Sequence, residues 1–147
     1  MSTVYVIYHS GTGNTHRLAL LVAEGATSQG VQVKVVSAGE LDYAEAAKAD
    51  GYAIGSPDYF SYVAGEVKTF FDKTLYDERF KGKPFVGFGT HGGGGKVLEV
   101  LNRLAKAIGL KQVGDGIMTK GTPGPQDAQA AAQLGKALAQ ALKAGGK

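Results

Sequence analysis

Short apolar runs typical of β-strands alternate along the chain with stretches in which apolar residues recur with the period of an α-helix. The strand-like runs cover residues 4–8, 31–36, 52–54, 85–88 and, interrupted by Gly114 and Gly116, 112–118. Helical periodicity follows over residues 18–26, 43–49, 63–75, 97–108 and 130–141. Because helices that connect successive strands bring those strands into parallel pairing, this alternation predicts a parallel sheet covered by helices on both faces.

We therefore predict an α/β fold of three layers, in which a doubly wound, five-stranded parallel sheet lies between two layers of helices. A chain of 147 residues is long enough for one such domain, which we expect to span residues 1–147. In open parallel sheets, ligands bind beyond the carboxyl ends of the strands, where the strand order reverses. The loops after the first, third and fourth strands are therefore the expected site.

The loop after the first strand is rich in glycine and short polar side chains, and it leads directly into a helix. Glycines let backbone N–H groups close around an anion, and the N-terminus of a helix adds a partial positive charge. The loop contains no lysine or arginine, so we expect it to hold a phosphate group with neutral donors. The candidate binding residues are Ser10, Gly11, Thr12, Gly13, Asn14 and Thr15.

Two other phosphate-binding motifs do not fit the chain. The dinucleotide fingerprint requires a small residue where His16 stands, and a Walker A loop requires lysine followed by serine or threonine, whereas Lys96 is followed by Val97. An ordinary strand-to-helix turn, capped by Asn14 or Thr15, stays open as an alternative for the first loop.

The loop after the third strand places aromatic side chains beside turn-forming residues, a combination that suits a flat, apolar ring. The candidate binding residues in this second loop are Ser56, Pro57, Asp58, Tyr59 and Phe60. The alternative for its aromatic residues is that they anchor the loop in the core.

The loop after the fourth strand contains four consecutive glycines, at positions 92 to 95. Glycine is costly in backbone entropy, so such a run indicates a close approach of the backbone to a ligand. The candidates in this third loop are Thr90, His91, Gly92 and Gly93. A flexible turn with an exposed histidine is the alternative.

The run from Ser10 to Thr15 resembles the phosphate-binding loop of the flavodoxin family at every key position. The resemblance implies the strand order 2-1-3-4-5 and a non-covalently bound FMN at the switch point between strands one and three. It extends over nearly the whole chain at the level of element order. The departure from the family lies in charge, since most electron-carrier flavodoxins are acidic and this chain has a net charge of +3.

The second loop resembles a different branch of the same fold. The pattern Gly-Ser-Pro-x-Tyr-Phe, followed by Gly-x-x-Lys-x-Phe-Phe-Asp-Lys, is similar to flavodoxin-like NAD(P)H:quinone reductases and iron–sulfur flavoproteins. The chain has no cysteine, which excludes an iron–sulfur cluster. The reductases also have a His-Gly-Gly element in the third loop, and this makes His91 the one catalytic candidate if the protein is an enzyme.

We accordingly predict an FMN-binding, flavodoxin-type redox protein that acts in electron transfer. The small size and the complete phosphate loop favour a carrier, whereas the second loop and the basic charge favour the alternative, an FMN-dependent NAD(P)H:quinone oxidoreductase. A flavin-free binding module is a third reading. The expected partner is a redox protein or a quinone, and nothing in the sequence sets the oligomeric state.

Charge and apolar patterning restrict other partners. Residues 1–60 carry 3 basic and 6 acidic residues, and residues 61–147 carry 13 and 7. The bases are scattered singly, which predicts no specific nucleic-acid binding, and the three histidines lack metal-site spacing. No apolar run approaches the roughly 20 residues of a membrane helix, and residues 1–3 lead straight into the first strand without a secretory leader. We expect a cytoplasmic protein.

Overall fold

A computed structural model describes residues 1–146 and consists of one parallel sheet with helices on both faces. The strands are β1 (Thr3–Tyr8), β2 (Gln32–Ser37), β3 (Gly51–Pro57), β4 (Pro84–His91), β5 (Lys111–Gln112) and β6 (Ile117–Lys120). The helices are α1 (Asn14–Thr27), α2 (Tyr43–Ala46), α3 (Gly65–Thr74), α4 (Val97–Ala107) and α5 (Pro125–Gly146), with short 3₁₀ turns at Ala38–Glu40 and Glu78–Phe80.

The strand order is β2-β1-β3-β4-β5, with every pairing parallel, and this confirms the predicted α/β fold and its topology. Tyr8 of β1 lies opposite Gly55 of β3, and Pro57 of β3 lies opposite Thr90 of β4. The carboxyl ends of these three strands therefore meet at one edge of the sheet. The loops that follow them open side by side at that edge.

The fifth strand differs from the prediction, which placed one interrupted strand over residues 112–118. The structure has two short strands that both pair with β4, β5 beside Pro84 and Phe85, and β6 beside residues 88–91. Gly114 and Gly116 between them have φ angles of 71° and 87°. This left-handed backbone cannot continue an extended ladder, so the glycines break the strand into two pieces.

Side chains of the central strands alternate between two apolar cores, one on each face of the sheet. Tyr5 and Ile7 of β1 pack into the core under α3 and α4, whereas Val4 and Val6 pack into the core under α1 and α5. The residues of β3 are buried on both faces as far as Ser56. This double burial fixes the central strands and, with them, the positions at which their loops begin.

Helices α1 and α5 cross at two glycines. A Cβ atom added at Gly25 would fall against the carbonyl oxygen of Ala132, and one added at Gly135 would fall against the carbonyl oxygen of Val22. The two backbones are therefore in direct contact. Because α1 begins at the first loop, this crossing also sets the orientation of the helix that presents that loop.

Replacing Gly25 or Gly135 with alanine tests this crossing. Gly to Ala in a helix interior ordinarily stabilises by about 1 kcal/mol, whereas a methyl group forced into a packed contact costs about 1–3 kcal/mol. The sum of these two terms is a loss of up to about 2 kcal/mol in the free energy of unfolding, which a urea titration measures. Gly65→Ala is the control, since Gly65 opens α3 and an added Cβ there meets open space. A gain in stability in Gly25→Ala would contradict direct backbone contact.

Candidate functional site

The first loop is held in shape from inside by one hydroxyl. Ser10 Oγ accepts hydrogen bonds from the backbone N–H groups of Gly13 (3.0 Å) and His16 (3.3 Å). Gly13, the N-cap of α1, has a φ of 98°, a left-handed conformation that glycine adopts without strain. Gly11, Thr12 and Gly13 are exposed. The conformation of the loop is therefore held by hydrogen bonds within it, and its backbone at residues 11–13 is exposed.

Two backbone N–H groups at the start of α1 have no acceptor within the described part of the chain. The first N–H groups of a helix have no acceptor within it. The N–H of Arg17 bonds to the carbonyl of Gly13 (3.0 Å) and that of His16 bonds to Ser10. Within residues 1–146, the N–H groups of Asn14 and Thr15 have no such partner. Together with the exposed Thr12, they form a set of neutral donors that fits a phosphate group.

The side chain of Thr15 lies beneath the first loop. It is buried, and its Oγ1 is 2.7 Å from Oγ1 of Thr90, which is also buried. This hydrogen bond joins the first helical turn of α1 to the end of β4. The sequence places both residues in the binding set. In the structure the two hydroxyls are hydrogen-bonded to each other. A direct contact of either hydroxyl with a ligand therefore stays a prediction.

The second loop contains a tight two-residue turn. The backbone groups of Tyr59 and Tyr62 form two hydrogen bonds with each other, of 2.9 and 3.0 Å. The central residues, Phe60 and Ser61, have φ angles of 58° and 63°. These are the signs of a type I′ turn, in which both central residues are left-handed and for which Asn-Gly is the favoured sequence. A phenylalanine in this conformation is unusual and strained.

Ser56 holds the base of the same loop. Its hydroxyl accepts from the N–H of Ala64 (2.9 Å) and donates to the carbonyl of Pro57 (2.8 Å), and the residue is fully buried. Ser56 and Pro57 both belong to the predicted binding set. The Ser56 hydroxyl has its partners within the protein, so what it does here is close the loop from Pro57 to Ala64 on itself.

The carboxylate of Asp58 joins the second loop to the third. Its Oδ1 accepts from the N–H of Ser61 (2.8 Å), and its Oδ2 accepts from the N–H groups of Lys96 (2.7 Å) and Val97 (3.0 Å). Lys96 is the N-cap of α4 and has no side-chain cap of its own. Asp58 therefore caps α4 from another loop. We call these three hydrogen bonds the Asp58 clasp.

The clasp changes the role that the sequence assigns to Asp58. The sequence places this residue among the direct ligand contacts, but both carboxylate oxygens accept from backbone N–H groups. Its own N–H bonds to the carbonyl of Thr90 (2.8 Å). Asp58 thus positions the site, and a direct contact of this residue with a ligand stays a prediction. A cap supplied by a residue 38 positions away leaves no local signal in the sequence.

The third loop brings a histidine with an unused nitrogen to the site. Nδ1 of His91 is buried and has no hydrogen-bond partner among residues 1–146. Buried polar atoms almost always have a partner, so this nitrogen is open to a hydrogen bond with a water or with a ligand atom. The glycines that follow, from Gly92 to Gly95, are exposed. The third loop therefore offers one polar side-chain atom and a long stretch of bare backbone.

The aromatic side chains of the second loop divide between the site and the solvent. The Tyr59 hydroxyl lies against Gly11, where an added Cβ would clash with it, and its ring stands edge-on to His9 at 5.9 Å. Tyr59 is 40% exposed and spans the first and second loops. Tyr62 packs against the core. Phe60, also predicted to contact the ligand, is fully exposed at 103%.

A pair missed by the sequence reasoning lies beside the first loop. Nδ1 of His9 is 2.8 Å from Oε1 of Glu66, which is in the first turn of α3. The Glu66 carboxylate also lies against Gly39, at the end of the chain segment that follows β2. The pair joins the loops after β1 and β2 to α3. The only signal for it in the sequence is a histidine placed directly after the first strand.

The fold and the three loops together define a class of protein: an α/β domain that holds a phosphate-bearing, planar cofactor where its strand order reverses. The family model described as Flavodoxin matches residues 6–135, and the chain belongs to the flavodoxin family. Members of this family bind FMN, so the match confirms the predicted family and its cofactor. The donor set of the first loop and the unpaired nitrogen of His91 fit that cofactor.

Known relatives agree with this assignment. The chain is 41% identical over 103 residues to a flavodoxin of Aquifex aeolicus, an alignment that covers 68% of this chain and 56% of that protein. It is 30% identical over 148 residues to the putative diflavin flavoprotein A 6 of Nostoc sp., covering 96% of this chain and 25% of that protein. The chain thus spans about half of the first relative and a quarter of the second.

A solved flavodoxin from the domain Archaea superposes on this chain with a TM-score of 0.91 at 26% identity, covering 96% of this chain and 99% of that one. None of the helices within residues 1–146 is both long and apolar enough to cross a membrane. Over the same residues, no group of three or more His, Cys, Asp or Glu side chains is arranged to hold a metal ion.

Replacing Asp58 with alanine tests the clasp. The change removes the cap of α4 and leaves three N–H groups without an acceptor, so we expect the free energy of unfolding to fall by about 1–3 kcal/mol. Amide hydrogen exchange should accelerate at Ser61, Lys96 and Val97. Asp58→Asn keeps part of the acceptor capacity, so its free energy of unfolding should lie between that of the unmodified chain and that of Asp58→Ala.

Asp72→Ala is the matched control for this variant. Asp72 forms an exposed pair with Lys68 (2.7 Å), and such pairs contribute less than about 1 kcal/mol. If Asp58→Ala is no less stable than Asp72→Ala, and exchange at Lys96 and Val97 is unchanged, then Asp58 does not hold the loops together.

Proposed function

We propose that this chain acts as an FMN-dependent electron carrier between redox proteins. The observation that carries the proposal is the state of the ionisable side chains around the three loops. Both oxygens of Asp58 accept from backbone N–H groups, and His9 is paired with Glu66. Nδ1 of His91 is a buried nitrogen without a hydrogen-bond partner among the described residues. The site is therefore well equipped to bind a cofactor and poorly equipped for the proton transfers of a substrate reaction.

Each loop has a separate part in holding the cofactor. The N–H groups of Asn14 and Thr15 and the hydroxyl of Thr12 would bind the phosphate. Tyr59 would flank the ring system on the side of the second loop, and the backbone of the glycine run would approach it on the side of the third. When bound, FMN supplies the redox chemistry, and the protein tunes it. Nδ1 of His91 would exchange a hydrogen bond with a polar atom of the ring.

The second candidate function is FMN-dependent NAD(P)H:quinone oxidoreductase. Two observations favour it: the unused His91 nitrogen, and the exposed third loop, in which no side chain from Gly92 to Gly95 covers the site. A planar substrate needs such an uncovered face. In this reading His91 holds or moves a proton at the substrate oxygen.

The proposed partner of the carrier is a soluble redox protein, and the proposed location is the cytoplasm. The absence of cysteine from the chain suits a reducing compartment, because the fold needs no disulfide. We propose no nucleic-acid partner, since the basic residues do not form a dense cluster interleaved with aromatic side chains.

Stepwise anaerobic reduction of the FMN-loaded protein, followed by visible absorption, separates the two candidates. A carrier passes single electrons, so we expect two resolved one-electron steps and no appreciable reduction by NADH or NADPH. His91→Ala should keep the two steps. A single two-electron step, rapid reduction by a nicotinamide nucleotide, and a quinone rate that falls in His91→Ala would overturn the carrier and establish the oxidoreductase.

A further inference from the structure

We propose that Phe60, Lys96 and Lys120 form a docking surface for a redox protein with an acidic face. We call these three residues the docking surface. The inference rests on the proposed function, because it identifies the kind of protein with which the carrier exchanges electrons. It concerns the chain's own surface beside the three loops.

Phe60 is the first element of the surface. Its side chain is fully exposed, although its backbone is held in a left-handed conformation that a phenylalanine rarely adopts. The exposed ring adds nothing to the core. A large aromatic side chain on a rigid turn is the kind of residue that dominates the binding energy of protein interfaces, because little conformational freedom is lost when it is covered.

The Asp58 clasp holds Lys96 close to the Phe60 turn. One oxygen of Asp58 binds the N–H of Ser61, next to Phe60, and the other binds the N–H of Lys96. Phe60 and Lys96 therefore belong to one rigid unit, although they lie on different loops. The Lys96 side chain is exposed and takes part in no ion pair among residues 1–146.

Lys120 lies on the other side of the third loop. It is the register partner of His91 at the end of β6, and the N–H of Gly121 donates to the carbonyl of His91 (2.9 Å). Like Lys96, it is exposed and forms no ion pair within the described residues. Two uncompensated cations thus flank the glycine run.

Two carboxylates on this side of the edge have local partners, whereas Glu99, in the first turn of α4, is exposed and forms no ion pair among residues 1–146. Asp58 accepts from the N-terminus of α4, and Asp127 accepts from the N–H of Gly124 (2.9 Å) at the start of α5. A helix N-terminus partly compensates a negative charge. The acidic residues Glu40 and Asp42 lie instead on the far side, after β2. The charges therefore differ along the edge: Lys96, Lys120 and the unpaired carboxylate of Glu99 lie at the end near Phe60, and Glu40 and Asp42 lie at the other end.

This polarity selects the partner. A positive surface around an exposed aromatic ring attracts a protein with a negative face and orients it as it approaches. The net charge of +3 on the chain has the sign that such a preference requires. The partner is an acidic electron-transfer protein with an apolar recess that takes the Phe60 ring.

Binding of two redox proteins of opposite charge tests the proposal without electron flow. The FMN-loaded chain in its oxidised form is titrated calorimetrically at low ionic strength with oxidised rubredoxin, which is acidic, and with oxidised mitochondrial cytochrome c, which is basic. We expect rubredoxin to bind at least about tenfold more tightly than cytochrome c, and the affinity to fall as salt is added.

Charge-reversal variants locate the surface. Lys96→Glu combined with Lys120→Glu should weaken rubredoxin binding at least about tenfold. The control combines Lys111→Glu and Lys143→Glu, which changes the net charge equally at two exposed residues in β5 and in the last turn of α5. Its effect should stay within about threefold. Phe60→Ala should also weaken rubredoxin binding several-fold without changing its salt dependence.

Three results would overturn the proposal: stronger binding of cytochrome c than of rubredoxin, equal losses in the two charge-reversal pairs, or binding to phosphatidylglycerol vesicles with none to rubredoxin. None of these results bears on whether the protein is a carrier, because the anaerobic reduction decides that point alone. The FMN affinity of both lysine pairs is measured in parallel, and rubredoxin binding is compared with each protein saturated with FMN.

Discussion

The hydrogen bonds of the Asp58 carboxylate are the constraint on which the site depends. Three loops leave one edge of the sheet, and by themselves a glycine run and a strained turn would have many conformations. Asp58 removes that freedom by binding the second loop at Ser61 and the third at Lys96 and Val97. The hydrogen bond between Thr15 and Thr90 joins the first loop to the same unit. The sheet brings the loops together, and these contacts fix the distances among them.

Three carboxylates around this site are not available as general acids or bases, because they already have hydrogen-bond partners. The carboxylates of Asp58, Glu66 and Asp127 each bind a partner within the protein. The donors that we propose for the phosphate are neutral, since the first loop contains no lysine or arginine. Lys96 and Lys120, which flank the site, are therefore available to bind a partner protein. This division agrees with a protein that holds a redox cofactor and presents it to another protein, and it links the proposed function to the docking surface.

The sequence was sufficient to predict the fold and the position of the site, because the alternation of strands and helices and the glycine-rich loops are local patterns. It placed Ser10 to Thr15, the second loop and the third loop at one edge, and the structure brings them together. It was insufficient where contacts are distant in the chain. The Asp58 clasp and the Thr15–Thr90 bond join residues 38 and 75 positions apart. Likewise, Gly114 and Gly116 indicated an interruption of the fifth strand. That the interruption divides it into two separate strands follows only from the pairing of β5 and β6 with β4.

We propose above all that the first loop binds a phosphate group through neutral donors. Calorimetric titration of the apoprotein with FMN and with riboflavin, which lacks the phosphate, tests it in Thr12→Val and in the control Thr12→Ser, which keeps the hydroxyl. Loss of one hydrogen bond to a charged group costs about 1.5–3 kcal/mol, so Thr12→Val should weaken FMN binding about 10- to 100-fold and leave riboflavin binding within about twofold. Thr12→Ser should bind both ligands almost as the unmodified chain does. Equal weakening of FMN and riboflavin in Thr12→Val would contradict the account.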